Sequence, residues 1–226
     1  MAIDKSNSPA WVKAVIWLVV GGFVLLGLGV SVSAILEGGT NTASSTGSDA
    51  ASVNASDTLS AISKQYSAKA QAVDGQIAED PGNADLLVGQ ARVYLDWANA
   101  ILAATDAYGE ARPTATVSVQ YWERAFAIRP GDPEQLKDYA AALFYSGDLA
   151  RATSVAEGIV AKDPKYAPAY FNLGVFYGAS NRLDDAIKAY QKALDLDPKG
   201  PDVDELKTRI QQLEQAKASA GATQTP

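Results

Sequence analysis

Carboxylates are the side chains this chain supplies most densely for chemistry, and the tightest group is Asp195, Asp197, Asp202, Asp204 and Glu205. A hard cation such as Ca2+ needs several oxygen ligands converging on one point. Lys199 stands where an EF-hand loop needs Asp or Asn, and Pro198 and Pro201 belong to turn geometry. The five carboxylates therefore read as helix ends and caps, and no metal is expected. Paired carboxylates for acid–base work occur in any acidic chain, and nothing marks a pair here as buried. Cysteine and histidine are both absent, which removes thiolate and imidazole ligands, cysteine nucleophiles, disulfides and any Ser/His/Asp triad in one step. No glycine-rich loop has the spacing that cradles phosphate. Neither an enzyme nor a cofactor is expected.

The charge balance excludes a further class. Across 226 residues the formal net charge is -7, and no segment clusters the Lys and Arg that a phosphate backbone demands. Nucleic acid is not an expected partner. The hydrophobic fraction, 47%, is ordinary for a globular chain.

What remains is shape, and the pattern of apolar residues is helical. Between Ala167 and Pro198, Tyr170, Leu173, Gly174 and Tyr177 fall at i, i+3, i+4 and i+7, and Ala186, Tyr190 and Ala193 repeat that spacing. Each half predicts an amphipathic helix. Gly174 and Ala186 sit mid-stripe, where minimal side chains let two backbones approach and large neighbours fill the flanks. Asn181 is placed to cap the second helix, and Pro198 cannot continue it.

The same punctuation recurs at a fixed period. Asp163 and Pro164 precede Asp197 and Pro198 by 34 residues, and Pro130 lies another 34 earlier. In the stretch starting at Pro133 the corresponding positions hold Leu136, Tyr139, Ala140, Leu143, Ala152, Ala156, Ile159 and Pro164. An earlier copy starts near Ala84, with Leu87, Gln90, Ala91 and Tyr94, then Ser118, Trp122, Ala125 and Pro130. Gln90 is a poor match. This copy is longer by about 15 residues, and the pattern has helix one running through WANAILAATDAY with GEARPT making the turn. Three copies in phase resemble tetratricopeptide (TPR) repeats, over roughly half the chain.

The expected fold is all-α: an N-terminal transmembrane helix followed by a TPR-like α-solenoid of three helical hairpins with flanking capping helices. Residues 1–13 are expected as a cytoplasmic N-terminus and 14–36, which carry no charge, as a transmembrane helix long enough at about 1.5 Å per residue to cross a bilayer. Lys5 and Lys13 before the span, against no Lys or Arg after it until Lys64, place the repeats outside by the positive-inside rule. A cleaved signal peptide is the competing reading, since Val32, Ser33 and Ala34 resemble a small-residue cleavage site. The apolar run is longer than the roughly 7–15 residues of an h-region, which favours an anchor. Residues 37–57 read as a Gly/Ser/Thr/Ala linker, 58–80 as an N-terminal capping helix, 84–198 as three repeats with the insertion near 98–117, 201–216 as a C-terminal capping helix and 217–226 as a disordered tail.

The resemblance also implies where a partner would bind. TPR domains generally hold extended or helical peptides along the first helix of each repeat. Carried over residue by residue, those positions are Asp85, Val88, Arg92, Leu95 and Asp96, then Glu134, Lys137, Ala141, Phe144 and Tyr145, then Pro168, Phe171, Val175, Gly178 and Ala179. The subset expected to form a partner groove is Val88, Arg92, Leu95, Lys137, Ala141, Phe144, Tyr145, Phe171 and Val175. The family's carboxylate clamp wants Lys and Asn at set positions; Asn172 fits one, but Phe171 and Val175 occupy others. An apolar groove for a protein or peptide segment is the expectation, with some of these side chains packing inside the superhelix or against the inserted segment as the alternative.

The expected function is therefore a membrane-anchored, extracytoplasmic adaptor or assembly factor for an envelope complex. The alternative is a stoichiometric structural subunit of a larger membrane or filament assembly whose groove is permanently occupied.

Overall fold

A computed structural model describes residues 55–222, and every element in it is a helix. In chain order these are α1 (Ala55–Glu79), α2 (Ala84–Thr105), α3 (Tyr108–Ile128), α4 (Pro133–Ser146), α5 (Leu149–Lys162), α6 (Ala167–Ala179), α7 (Leu183–Leu196) and α8 (Val203–Ala222). Short connections force consecutive helices into antiparallel neighbours. Each helix packs on the next, and beyond that α2 touches α4 and α4 touches α6. The result is a solenoid with α2, α4 and α6 as one layer, wired almost wholly between neighbours.

Small residues make the close approaches. Ala98, Ala111, Ala115, Ala152 and Ala186 have no exposed surface, while Trp122, Tyr190 and Phe176 fill the space between. A Cβ built at Gly174 would overlap the Tyr190 ring, so the α6–α7 crossing depends on that missing side chain.

The helix ends follow local chemistry. Asp132 accepts from the backbone N–H of Gln135 at 2.8 Å while Gln135 reaches back to the Asp132 N–H, a capping box with Pro133 at the first turn. Asn83 caps α2 by accepting from Asp85 and Leu86, and Gly147 ends α4 at φ +95°, a left-handed conformation that favours glycine. Asn181 behaves differently from its expected role. It adopts φ 59° in the α6–α7 turn, and α7 starts after Arg182 with no side-chain cap. The geometry of a tight turn, which asparagine tolerates, outweighs the capping bond.

The first hairpin also differs from its expected form. The break falls at Asp106 and Ala107, and GEARPT is the start of α3, with Pro113 inside it. Asp106 takes a left-handed φ of 52°, and the Thr105 hydroxyl accepts from the Ala107 N–H, which closes the turn in two residues. Pro113 forfeits one backbone bond within the first two turns, between Ala111 and Ala115, which are fully buried. The added sequence therefore lengthens both helices of the hairpin.

The localisation expected from the sequence is corrected here. Among the described residues no helix is long and apolar enough to cross a membrane. Residues 14–36, where the transmembrane helix is expected, lie outside the described residues, as do 1–13 and most of the linker. The helices that are described are built to pack on protein. Even α1, the longest, sets Lys64, Lys69 and Asp74 around a single stripe of Tyr66, Ala70 and Ile77. The single-pass placement, with a cytoplasmic N-terminus and extracytoplasmic repeats, does not stand on these helices, and association with a membrane is not shown.

Candidate functional site

The residues assigned to the groove divide by depth. Val88 and Leu95 on α2 are 6% exposed and belong to the core, as do Ala141 and Tyr145 on α4 and Val175 on α6. Phe144 and Phe171 are half-buried, Lys137 is half-buried, and Arg92 is exposed. Only these last four offer substantial side-chain surface.

Ala141, Phe144, Tyr145 and Val175 do come together, around a cavity completed by Tyr108, Asn172 and Phe176. Its volume is about 10 Å³, roughly one water. The lengthened hairpin closes it: the Tyr108 ring, at the start of α3, stands edge-on to Phe144 at 5.8 Å and tilted against Tyr145 at 6.1 Å. Burial drives the Tyr108 hydroxyl far above its ordinary pKa and does the same for Tyr145. The repeat pattern does not assign Tyr108 to the groove, because the inserted segment has no counterpart in it.

Phe171 sits at the other end. Its ring meets Tyr190 at 5.8 Å, and the Arg209 guanidinium lies 5.7 Å from its centroid. Arg209 comes from α8, is 4% exposed, and pairs with Glu205 at 2.7 Å. Glu205 is one of the five clustered carboxylates. Among the described residues no group of three or more could hold a metal ion.

Between the two helices α2 and α4 lies a strip of charge. Arg92 Nε donates to Asp138 Oδ2 at 3.0 Å, and Lys137 pairs with Asp138 at 3.2 Å and, more closely, with Glu134. Glu134 also accepts from the Tyr166 hydroxyl. Burial raises the Glu134 pKa, but the bonds from Lys137 and Tyr166 outweigh it and hold the carboxylate below its usual range. Asn172 donates to the Lys137 carbonyl at 3.3 Å. The groove's lysine, arginine and asparagine are thus engaged with the protein itself, which leaves a carboxylate clamp without its donors.

Gln90, the poor match to the repeat pattern, is fully buried. Its Nε2 donates to the Ala70 carbonyl at 3.0 Å and to Asp74 Oδ1 at 2.9 Å, and the Tyr121 hydroxyl donates to the same Asp74 oxygen at 2.9 Å. A polar residue replaces an apolar one here because α1 docks through it. The signal was the mismatch itself.

Residues 143–210 match the family described as tetratricopeptide repeat. The small glutamine-rich tetratricopeptide repeat-containing protein 2 of Mycosarcoma maydis is 31% identical over 81 residues, 36% of this chain and 23% of that protein. The match therefore spans about a quarter of that relative's length. The crystal structure of MamA is similar with a TM-score of 0.50 and 17% identity, covering 74% of this chain and 96% of that one. The Sgt2 TPR domain of Aspergillus fumigatus is similar with a TM-score of 0.47 and 24% identity, covering 61% of this chain and 85% of that one. The fold is an all-α, TPR-like solenoid.

Proposed function

We infer that this chain is a protein–protein interaction adaptor or assembly factor that holds a helical or extended segment of another polypeptide along α2, α4 and α6. The observation that carries the reading is the pair of half-buried rings, Phe144 and Phe171, set on successive helices of the layer that also carries the Arg92–Lys137 strip. Rings partly withdrawn from water release further apolar area when a partner covers them, at about 25 cal/mol per Å². Support also comes from the TPR match at residues 143–210, a repeat class whose members act as scaffolds.

A transient partner fits better than a permanently filled groove. Obligate interfaces leave large apolar surface when stripped of their partner, whereas among the described residues Ile128 is the large hydrophobic side chain that stands exposed. Such a chain should purify alone.

The test is capture by the full chain with a photocrosslinker at Phe171, followed by mass spectrometry. Phe144→Asp and Phe171→Asp, each checked for retained helicity, are expected to remove the captured proteins. An unchanged set of partners from both folded variants overturns the assignment of the groove.

A further inference from the structure

We propose that the groove takes an amphipathic helical segment of a protein partner bearing a lysine or arginine two turns from a large apolar side chain, the cation going to Asp96 and the apolar group to Phe144. The inference rests on the groove reading above and specifies the chemistry of the partner.

The strip between α2 and α4 sets Arg92 and Lys137 against Asp96, Glu134 and Asp138, two cations against three anions. Both cations are consumed: Arg92 by Asp138, and Lys137 by Asp138 and Glu134. Asp96 is the group left over. It is exposed, and among the described residues it makes no hydrogen bond and no ion pair. Lys69, the other cation whose field reaches it, lies over the Tyr66 ring at 4.8 Å. Partial loss of water on the side turned to the neighbouring helices, and then the charge of Asp138, raise the Asp96 pKa, so an arriving cation relieves a repulsion already present.

The apolar half of the match lies along α4. Lys137, paired with Asp138 beside Asp96, and Phe144 are seven residues apart on one face of α4, about 10 Å of helix rise, and a partner helix presents residues i and i+7 at the same spacing on one face. The shelf at Phe144 is bounded by Tyr108, so the segment is limited on that side by the lengthened hairpin. An acidic segment or a C-terminal carboxylate would meet Asp96 and find both nearby cations already paired. Complementarity here selects by sign more than by area.

The probes are three fluorescein-labelled 18-residue amphipathic peptides sharing one Leu/Phe stripe, measured by anisotropy against the full chain. One carries Lys two turns from the central Phe, one Glu at that position, and one Gln there with a Glu-Glu-Val-Asp C-terminus. The Lys peptide is expected to bind at least tenfold more tightly than either other, with the advantage shrinking at high salt. Asp96→Asn should erase that advantage without weakening the Glu peptide, and Phe144→Ala should weaken all three. Equal affinities for the Lys and Glu peptides, or an advantage that survives Asp96→Asn, overturn the inference; if Phe144→Ala still weakens binding in that case, the groove reading survives it. Failure of Phe144→Ala and Phe171→Asp to change any peptide's binding overturns the groove reading as well.

Discussion

Gly174 shows how much one side chain decides. A Cβ there would overlap the Tyr190 ring, and both residues are buried at the α6–α7 crossing. Gly174→Ala is expected to destabilise the protein by about 1–3 kcal/mol through overpacking. Gly75 and Gly158 sit inside α1 and α5, where an added methyl group would meet nothing within 4 Å, so Gly75→Ala and Gly158→Ala should stabilise by about 0.5–1 kcal/mol each. Thermal or urea melts of the three variants check the contrast. A Gly174→Ala melt matching the other two would mean that Tyr190 yields freely. This residue pair was legible in the sequence because small-against-large spacing on two stripes has few other uses. Tyr108 was not, because its position in the groove depends on where an irregular hairpin turns.

At the level of helices, Gln90 is the instructive case. It reads as an error in the repeat and turns out to fasten α1, through bonds to Ala70 and Asp74. Gln90→Ala removes both bonds and leaves a cavity against α1. The expected outcome is at least tenfold faster amide exchange in α1, with exchange in α6, α7 and α8 unchanged, because contacts run between neighbours. Equal acceleration along the whole chain would show that the helices open together. The α2–α3 turn carries the complementary lesson. By residue type alone, the glycine and proline of GEARPT outweigh its single alanine, yet the structure turns at Asp106, which tolerates a left-handed φ, and keeps Ala111 and the following Ala115 for packing. Helix periodicity was readable; the two residues that end a helix were decided by packing across the hairpin.

At the scale of the whole molecule, stability should respond to alkali. Nine tyrosines have raised pKa values. Burial is the largest cause for each, and Tyr139, Tyr177 and Tyr190 reach about 12. A group whose folded pKa exceeds its unfolded value stabilises fully below the unfolded value, here 10.0, and loses that contribution as pH rises through the folded one. The urea midpoint is therefore expected to fall from about pH 10 to pH 12, with tyrosinate absorbance appearing together with unfolding. Ionisation of most tyrosines near pH 10 with helicity intact would contradict this. The solenoid itself was legible because a 34-residue period runs through the repeats, whereas the depth of each groove residue was not. Val88 and Leu95 occupy groove positions by count, but helix packing turns them into the core.

Among the described residues the lengthened α2–α3 hairpin makes the most extensive helix–helix contact, while Phe171 lies on the shorter α6 farther along. The Tyr108 ring therefore rides on a long helical pair, and its place beside Phe144 is fixed by where the α2–α3 turn falls.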